Sequence, residues 1–241
     1  MAFFDHYPRF QSTSYVGASA LRLNKRHQAV IESNRGLFAG ARVLDLASHD
    51  GRWSFAALHA GAAHVTGIEA RADLVARANE TFAGYGIAAD RFRFLTGGLP
   101  EALGREAIRA DVVLLLGFLY HTSRHVELLR RIDETGARHV IVDTAVFNDP
   151  AASAGPVVEL RREIVDSHAN QFVPDRADAP EAVVGYPSRA AVVFLFDYFG
   201  FDGEEFDWAP LLAEGPCGPT DDVIDYRSGG RATFRMTRRR A

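Results

Sequence analysis

The chain has 241 residues, 47% of them hydrophobic and 24% charged, which suffices for one good-sized core and leaves a second independent domain cramped. Twenty-seven basic residues against 31 acidic ones give a net charge of -4, so no global basic field argues for a nucleic acid or an anionic membrane as partner. The single cysteine, Cys217 in Gly215-Pro216-Cys217-Gly218-Pro219, cannot close an intramolecular disulfide; it reads as part of a rigid exposed loop and fits a reducing, cytoplasmic setting. The first seven residues hold no basic stretch followed by a long apolar one, and no window reaches the length of a membrane span, so a soluble protein is expected. Lys25 is the sole lysine; with the abundance of alanine this is codon bias rather than chemistry.

Taken in chain order, residues 20–37 permit a helix through Leu21, Leu23, Ala29, Val30, Ile31 and Leu37. A short β-branched run, Val43-Leu44-Asp45-Leu46, predicts a first strand, and Ala47-Ser48-His49-Asp50-Gly51 a turn. A helix over 53–59 is stopped by Gly61, a second strand covers 64–69, a helix 72–82, and a third strand 91–95. Residues 111–116 form a fourth strand, 127–135 a helix and 139–143 a fifth strand. A strand such as Val112-Val113-Leu114-Leu115-Leu116 is apolar on both faces only where helices cover both, as in a buried parallel sheet. The first 147 residues therefore predict a doubly wound α/β sheet.

Residues 148–186 break this alternation with Pro150, Gly155, Pro156, Pro174, Pro180 and Gly185. They read as an irregular insertion with room for one helix over 157–167, of the kind that serves as a lid or binding loop. Pro187-Ser188 caps a further helix through Phe199, stopped by Gly200. The tail holds β-like runs at 204–208, 223–226 and 231–236, with a turn at 228–230, so two or three antiparallel strands are expected to finish the sheet.

The segment from Val43 to Gly51 places a tight turn of small residues at the carboxyl end of the first strand, where open α/β sheets bind ligands and backbone amides approach them closely. It lacks two of the glycines that a nicotinamide dinucleotide loop needs. Glu69, closing the second strand, can accept both hydroxyls of a ribose; taken alone it reads sooner as a solvated strand-end charge, but paired with the turn in one βαβ unit it points to an adenosine-type ligand.

Val43 to Gly51, Gly67-Ile68-Glu69 and Asp111 to His121 resemble the first, second and fourth motifs of the class I S-adenosylmethionine-dependent methyltransferases. The likeness covers residues 40–145 and, more loosely, the final helix, Gly200-Phe201 and the terminal strands. It implies a Rossmann-like, mostly parallel sheet with an antiparallel C-terminal hairpin in a single domain over 1–241: an N-terminal cover (1–40), a cofactor-binding core (41–147), an insertion or lid after strand five (148–186), and the final helix and strands (187–241). The Gly117-Phe118-Leu119-Tyr120-His121 ending, the insertion and the Pro187-Ser188 helix are also similar to tRNA wobble-uridine enzymes that use a carboxylated cofactor.

The resemblance implies S-adenosylmethionine as cofactor and S-adenosylhomocysteine as product, with no metal. Ala47, Ser48, His49, Asp50 and Gly51 would surround the methionine part, with Asp45 ordering the loop or reaching the amino group. Glu69 would hold the ribose, Ala70 would lie beside the adenine, and Gly97 and Gly98 stand where the family has an acidic residue for the adenine amino group. Gly117 and Phe118 complete the pocket wall, and Arg26 is a candidate partner for the cofactor carboxylate.

Tyr120 and His121 are the candidate catalytic residues: His121 has the intrinsic pKa range of a general base, while a local hydrogen-bonding role for it and a pocket-lining role for Tyr120 are the alternatives. Asp143 is a third candidate base or a loop cap. Tyr7, Tyr15, Arg22 and His27 are candidates for the cofactor cover, and Glu159, Arg161, Arg162 and His168 for the substrate side. The Arg238-Arg239-Arg240 run reads as a solvated tail. The expected activity is methyl transfer to a small-molecule hydroxyl; the alternatives are tRNA methyl or carboxymethyl transfer, with residues 124–131 as a basic patch, and a non-catalytic cofactor-binding module.

Overall fold

A computed structural model describes residues 1–13, 20–105, 107–150, 155–164, 179–213 and 223–240. Strands β1 (Arg42–Leu46), β2 (His64–Glu69), β3 (Phe92–Thr96), β4 (Val112–Leu116) and β5 (His139–Ala145) pair in parallel in the order 3-2-1-4-5. A separate hairpin of β6 (Val158–Ile164) and β7 (Glu181–Pro187) follows, and β8 (Phe201–Glu205) and β9 (Arg231–Arg238) complete a seven-stranded sheet, with β9 antiparallel to β5 and β8 on the edge. The strand order reverses between β1 and β4, and that switch point sets the crevice at the carboxyl ends of the strands.

The helices are α1 (Leu21–Val30), α2 (Arg35–Phe38), α3 (Arg52–His59), α4 (Ala72–Gly84), α5 (Leu99–Arg105), α6 (His125–Glu134) and α7 (Arg189–Tyr198). Adjacent residues of one strand enter opposite cores, as the double-sided apolar pattern requires. Val43 and Leu114 pack with Val30, Phe38, Phe55 and Phe82 on the α1–α4 side. Leu44 and Val113 pack with Leu103, Leu128, Ile132 and Phe196 on the α5–α7 side. No helix is long and apolar enough to cross a membrane among the described residues.

Three local expectations are corrected. The N-terminal helix stops at Val30, where the Asn34 amide donates to the Val30 carbonyl at 3.0 Å, and the chain reaches Phe38 through a tighter turn and α2. Residues 158–164 are a strand and not a helix, because Val183 and Val184 offer a β-branched partner and seven residue pairs satisfy the backbone, from Val158 opposite Pro187 to Ile164 opposite Glu181. Residues 224–227 are a helical turn and not a strand: Val223 and Tyr226 are buried with Trp208, three residues apart on one face, while Ile224 is 52% exposed. Helix α5 arises after Gly97-Gly98 from Leu99, Ala102 and Leu103, which are buried on the sheet. As expected, the Ser188 hydroxyl caps α7, accepting from the Ala191 amide at 3.1 Å.

Candidate functional site

Between β1 and α3 the turn is held open by strain. Ala47 (φ 55°) and His49 (φ 54°) adopt left-handed backbone, which costs a residue with a Cβ about 1–2 kcal/mol, and Gly51 (φ 78°) does so freely. The Ser48 amide donates to the Ile68 carbonyl at 2.9 Å, tying the turn to β2, while the Ser48 hydroxyl is buried with no hydrogen-bond partner. Ala47→Gly is expected to raise the unfolding free energy by about 0.5–1 kcal/mol in urea titrations. A loss of stability would show that the turn is not strained there.

The fully buried Asp45 carboxylate ties the end of β1 to α3, accepting from the Ser54 amide at 3.0 Å and the Ser54 hydroxyl at 2.7 Å. Burial raises its pKa to about 7. Asp50 is committed to the protein, accepting from Arg52 Nε at 2.7 Å and from the Thr13 hydroxyl. Although burial opposes it, the Arg52 guanidinium holds the Asp50 carboxyl well below the usual carboxylate range. The His49 ring turns toward Arg52, with Nδ1 3.0 Å from Arg52 Nη2.

Glu69 reaches under this turn. Its carboxylate is 8% exposed and accepts from the His49 amide at 2.9 Å and the Arg71 amide at 3.0 Å, one bond per oxygen. Each oxygen keeps further acceptor capacity. The Gly97 amide donates to the Glu69 carbonyl at 2.9 Å, and the Gly98 carbonyl accepts from Ala102 at the start of α5, so the third strand's turn lies beside Glu69. Ala70 follows Glu69 on the exposed side of that corner.

At the end of β4, Gly117 (φ 88°) donates its amide to the Asp143 carbonyl at 2.7 Å, and Phe118 leads into the turn Leu119–His121. The Tyr120 and His121 rings lie 3.9 Å apart. Burial, helped by the Arg231 charge, lowers the His121 pKa to about 3, so the expected base with an ordinary pKa is corrected to an imidazole kept neutral.

Asp143 is likewise no base. It is fully buried and accepts from Arg26 Nη2 at 3.0 Å, Arg231 Nε at 2.7 Å, the Tyr226 hydroxyl at 2.7 Å and the Thr233 hydroxyl at 2.8 Å. Against the desolvation that burial imposes, the two guanidiniums hold it well below the usual carboxylate range.

Arg26 also lies 5.0 Å from the Trp53 ring at the start of α3, with a buried Nε that has no hydrogen-bond partner. Of the other N-terminal candidates, Arg22 forms a two-pronged pair with Asp225 at 2.6 Å. Tyr7 packs on Phe55 and Tyr85, and His27 stacks on Phe3 at 4.2 Å; these belong to the core behind α3. Tyr15, His168 and Cys217 lie outside the described residues.

The β6–β7 hairpin sits against the Leu119–His121 turn. Tyr186 lies 5.4 Å from Tyr120, and the Arg161 guanidinium is 4.1 Å from the Tyr186 ring and paired with Glu159. The Tyr186 hydroxyl donates to Glu163 at 2.5 Å. Gly185 permits this approach, since a Cβ there would come within 2.7 Å of the His125 ring and 3.2 Å of the Thr122 carbonyl. Arg162 is turned out, with only a 4.0 Å contact to Glu181. Arg238 and Arg239 are not a free tail: Arg238 pairs with Asp133 at 2.7 Å and Arg239 with Asp197 at 2.6 Å. Thr13, Arg52, Tyr186 and Arg231 join the site without a sequence motif of their own.

Residues 43–135 match the family model described as a methyltransferase domain. No curated protein matches the chain. Among solved structures the chain is similar to the N-terminal domain of EvdMO1, determined in the presence of S-adenosylhomocysteine and D-fucose, at 18% identity over 87% of this chain and 81% of that one, with a TM-score of 0.61. It is also similar to the [4+2]-cyclase SpnF, at 17% identity over 99% and 95% with a TM-score of 0.62. A third is the magnesium protoporphyrin IX methyltransferase of Synechocystis PCC 6803 with bound S-adenosylhomocysteine, at 14% identity over 98% and 95% with a TM-score of 0.59. At such identities the shared property is the fold, which hosts more than one chemistry. Residues 43–135 thus match a methyltransferase domain, and with its strand order and β1 turn the chain has the Rossmann-like fold of the methyltransferases.

Proposed function

We propose that the protein binds S-adenosylmethionine in the crevice between the β1 turn and Glu69 and transfers its methyl group to a hydroxyl of a small molecule. The observation that carries this reading is the buried, unpartnered Ser48 hydroxyl in a strained turn, next to a buried carboxylate with acceptor capacity to spare. A hydroxyl with no bond made and a carboxylate with acceptor capacity to spare fit an adenosine bearing an amino-acid chain.

When bound, the sulfonium supplies an activated methyl group, so the protein's own part is binding, orientation and exclusion of water. Glu69 accepts the ribose hydroxyls, the turn from Ala47 to Gly51 borders the methionine part, and Gly97, Gly98 and Ala70 border the adenine. Gly117 and Phe118 form the opposite wall, and Arg26 takes the amino-acid carboxylate through the donors that Asp143 leaves. The hairpin and the N-terminal segment enclose the acceptor.

Tyr120 lines the acceptor side, and His121, neutral at physiological pH, accepts a hydrogen bond from the acceptor hydroxyl and aligns its oxygen. EvdMO1, with S-adenosylhomocysteine and the sugar D-fucose in one structure, supports a hydroxyl-bearing acceptor. Calorimetric titration with S-adenosylhomocysteine tests the reading; no heat of binding at millimolar ligand would refute it. Once an acceptor is in hand, His121→Ala is expected to lower turnover about 100-fold with cofactor affinity unchanged; full turnover would remove His121 from the reaction.

A further inference from the structure

We propose that Arg231 is the binding point for a carboxylate on the methyl acceptor, so that the acceptor is a hydroxy acid; this rests on the methyltransferase reading above. At the carboxyl ends of β4 and β5 three guanidiniums, Arg22, Arg26 and Arg231, meet two carboxylates, Asp143 and Asp225, an excess of one positive charge among the described residues of this cluster. Arg22 satisfies Asp225 with both of its prongs, and both oxygens of Asp143 are taken by four donors.

Arg231 engages Asp143 through Nε alone. Its two terminal nitrogens make no hydrogen bond among the described residues, and the residue keeps 8% exposure. That terminal fork lies against the pocket wall: Nη2 is 3.4 Å from where a Cβ of Gly117 would stand, and the guanidinium is 5.6 Å from the Tyr120 ring. A planar guanidinium with two free parallel donors matches a carboxylate bidentately. An excess buried charge favours an anion as its occupant, and the cofactor, with a sulfonium and an ammonium against one carboxylate, adds a further net positive charge to the same crevice.

Two carboxylates could fill the fork, the cofactor's own and the acceptor's. Arg26 lies beside Trp53 at the start of α3, on the side of the β1 turn, whereas Arg231 lies beside Tyr120, whose ring faces the Tyr186 ring of the hairpin. The position of Arg231 is therefore the acceptor's.

The test is calorimetry on the protein saturated with S-adenosylhomocysteine, titrated with 3- and 4-hydroxybenzoate and with the matching hydroxybenzamides. The acids are expected to bind about tenfold more tightly than the amides, and Arg231→Gln to abolish that preference with S-adenosylhomocysteine affinity unchanged. Arg231→Lys, which keeps the charge and loses the fork, is expected to retain part of it. Equal affinities of acid and amide, no binding of either acid at millimolar concentration, or a preference that survives Arg231→Gln would each overturn the proposal. Loss of S-adenosylhomocysteine affinity in Arg231→Gln would assign the fork to the cofactor and also overturn it. If Arg231→Gln does not fold, the acid and amide comparison on the unmodified protein decides. Failure of the unmodified protein to bind S-adenosylhomocysteine is a separate outcome that removes the methyltransferase reading itself.

Discussion

Glu69→Ala is expected to weaken S-adenosylhomocysteine binding by about 100-fold, the scale of about 3 kcal/mol that two hydrogen bonds to a charged group contribute. The loss has two sources. The ribose forfeits its acceptor, and the His49 and Arg71 amides, which now donate to the carboxylate at 2.9 and 3.0 Å, lose the partner that shapes the rim of the pocket. Glu69→Gln separates them, because an amide oxygen still accepts one backbone bond while the charge is gone; it is expected to fall between the two proteins. Titration calorimetry on all three gives the answer, and unchanged affinity in Glu69→Ala would refute the ribose assignment.

Asp143→Asn is expected to cost about 3–5 kcal/mol of stability, because it leaves the Arg26 and Arg231 guanidiniums buried without their counter-charge. The loss is a large share of the total of about 5–15 kcal/mol typical of a folded protein. Urea denaturation measures it, and a midpoint within error of the parent would mean that the network is solvated. The same residue leaves a signature in the pH dependence. Asp143 and Asp50 have folded pKa values depressed below 3.8, so their contribution is present above that pH and is lost as pH falls through it. His27, lowered to about 4, and His121, lowered to about 3, are buried neutral; their contribution is lost as pH falls below 6.5.

Asp45, raised to about 7, acts the other way, its contribution fading as pH rises from 3.8 to 7. His59, His64, His125 and His139, also lowered by burial, add to the two histidines against the one aspartate, so stability rises with pH from about 4 to 6.5. Below 3.8 the two aspartates steepen the acid limb, and in Asp143→Asn that limb should be shallower by one proton. Coincident acid limbs would show that Asp143 is not ionised in the folded protein.

What the sequence discloses follows physical range. The parallel strands are legible because burial on both faces writes itself into consecutive residues such as Val112 to Leu116. The β1 turn is legible because close approach to a ligand demands small residues within a few positions. Strand β6 is not, because Arg161-Arg162 interrupts the alternation and its pairing partner lies beyond a long connection. Nor is the Asp143–Arg231 pair, whose members are 88 residues apart and meet only because β9 runs back along β5. The depressed pKa of His121 belongs to the same class: it depends on what surrounds the imidazole, which no local pattern records.

The Thr13 hydroxyl, bonded to Asp50, and the Phe4 and Phe10 rings buried behind α3 give the first residues a bearing on ligand affinity. A ligand that firms the β1 turn acts on the amino-terminal segment through this bond, and whatever coupling it carries is reciprocal. A tag or trim at that end is therefore a perturbation of the binding constant, carried through one threonine.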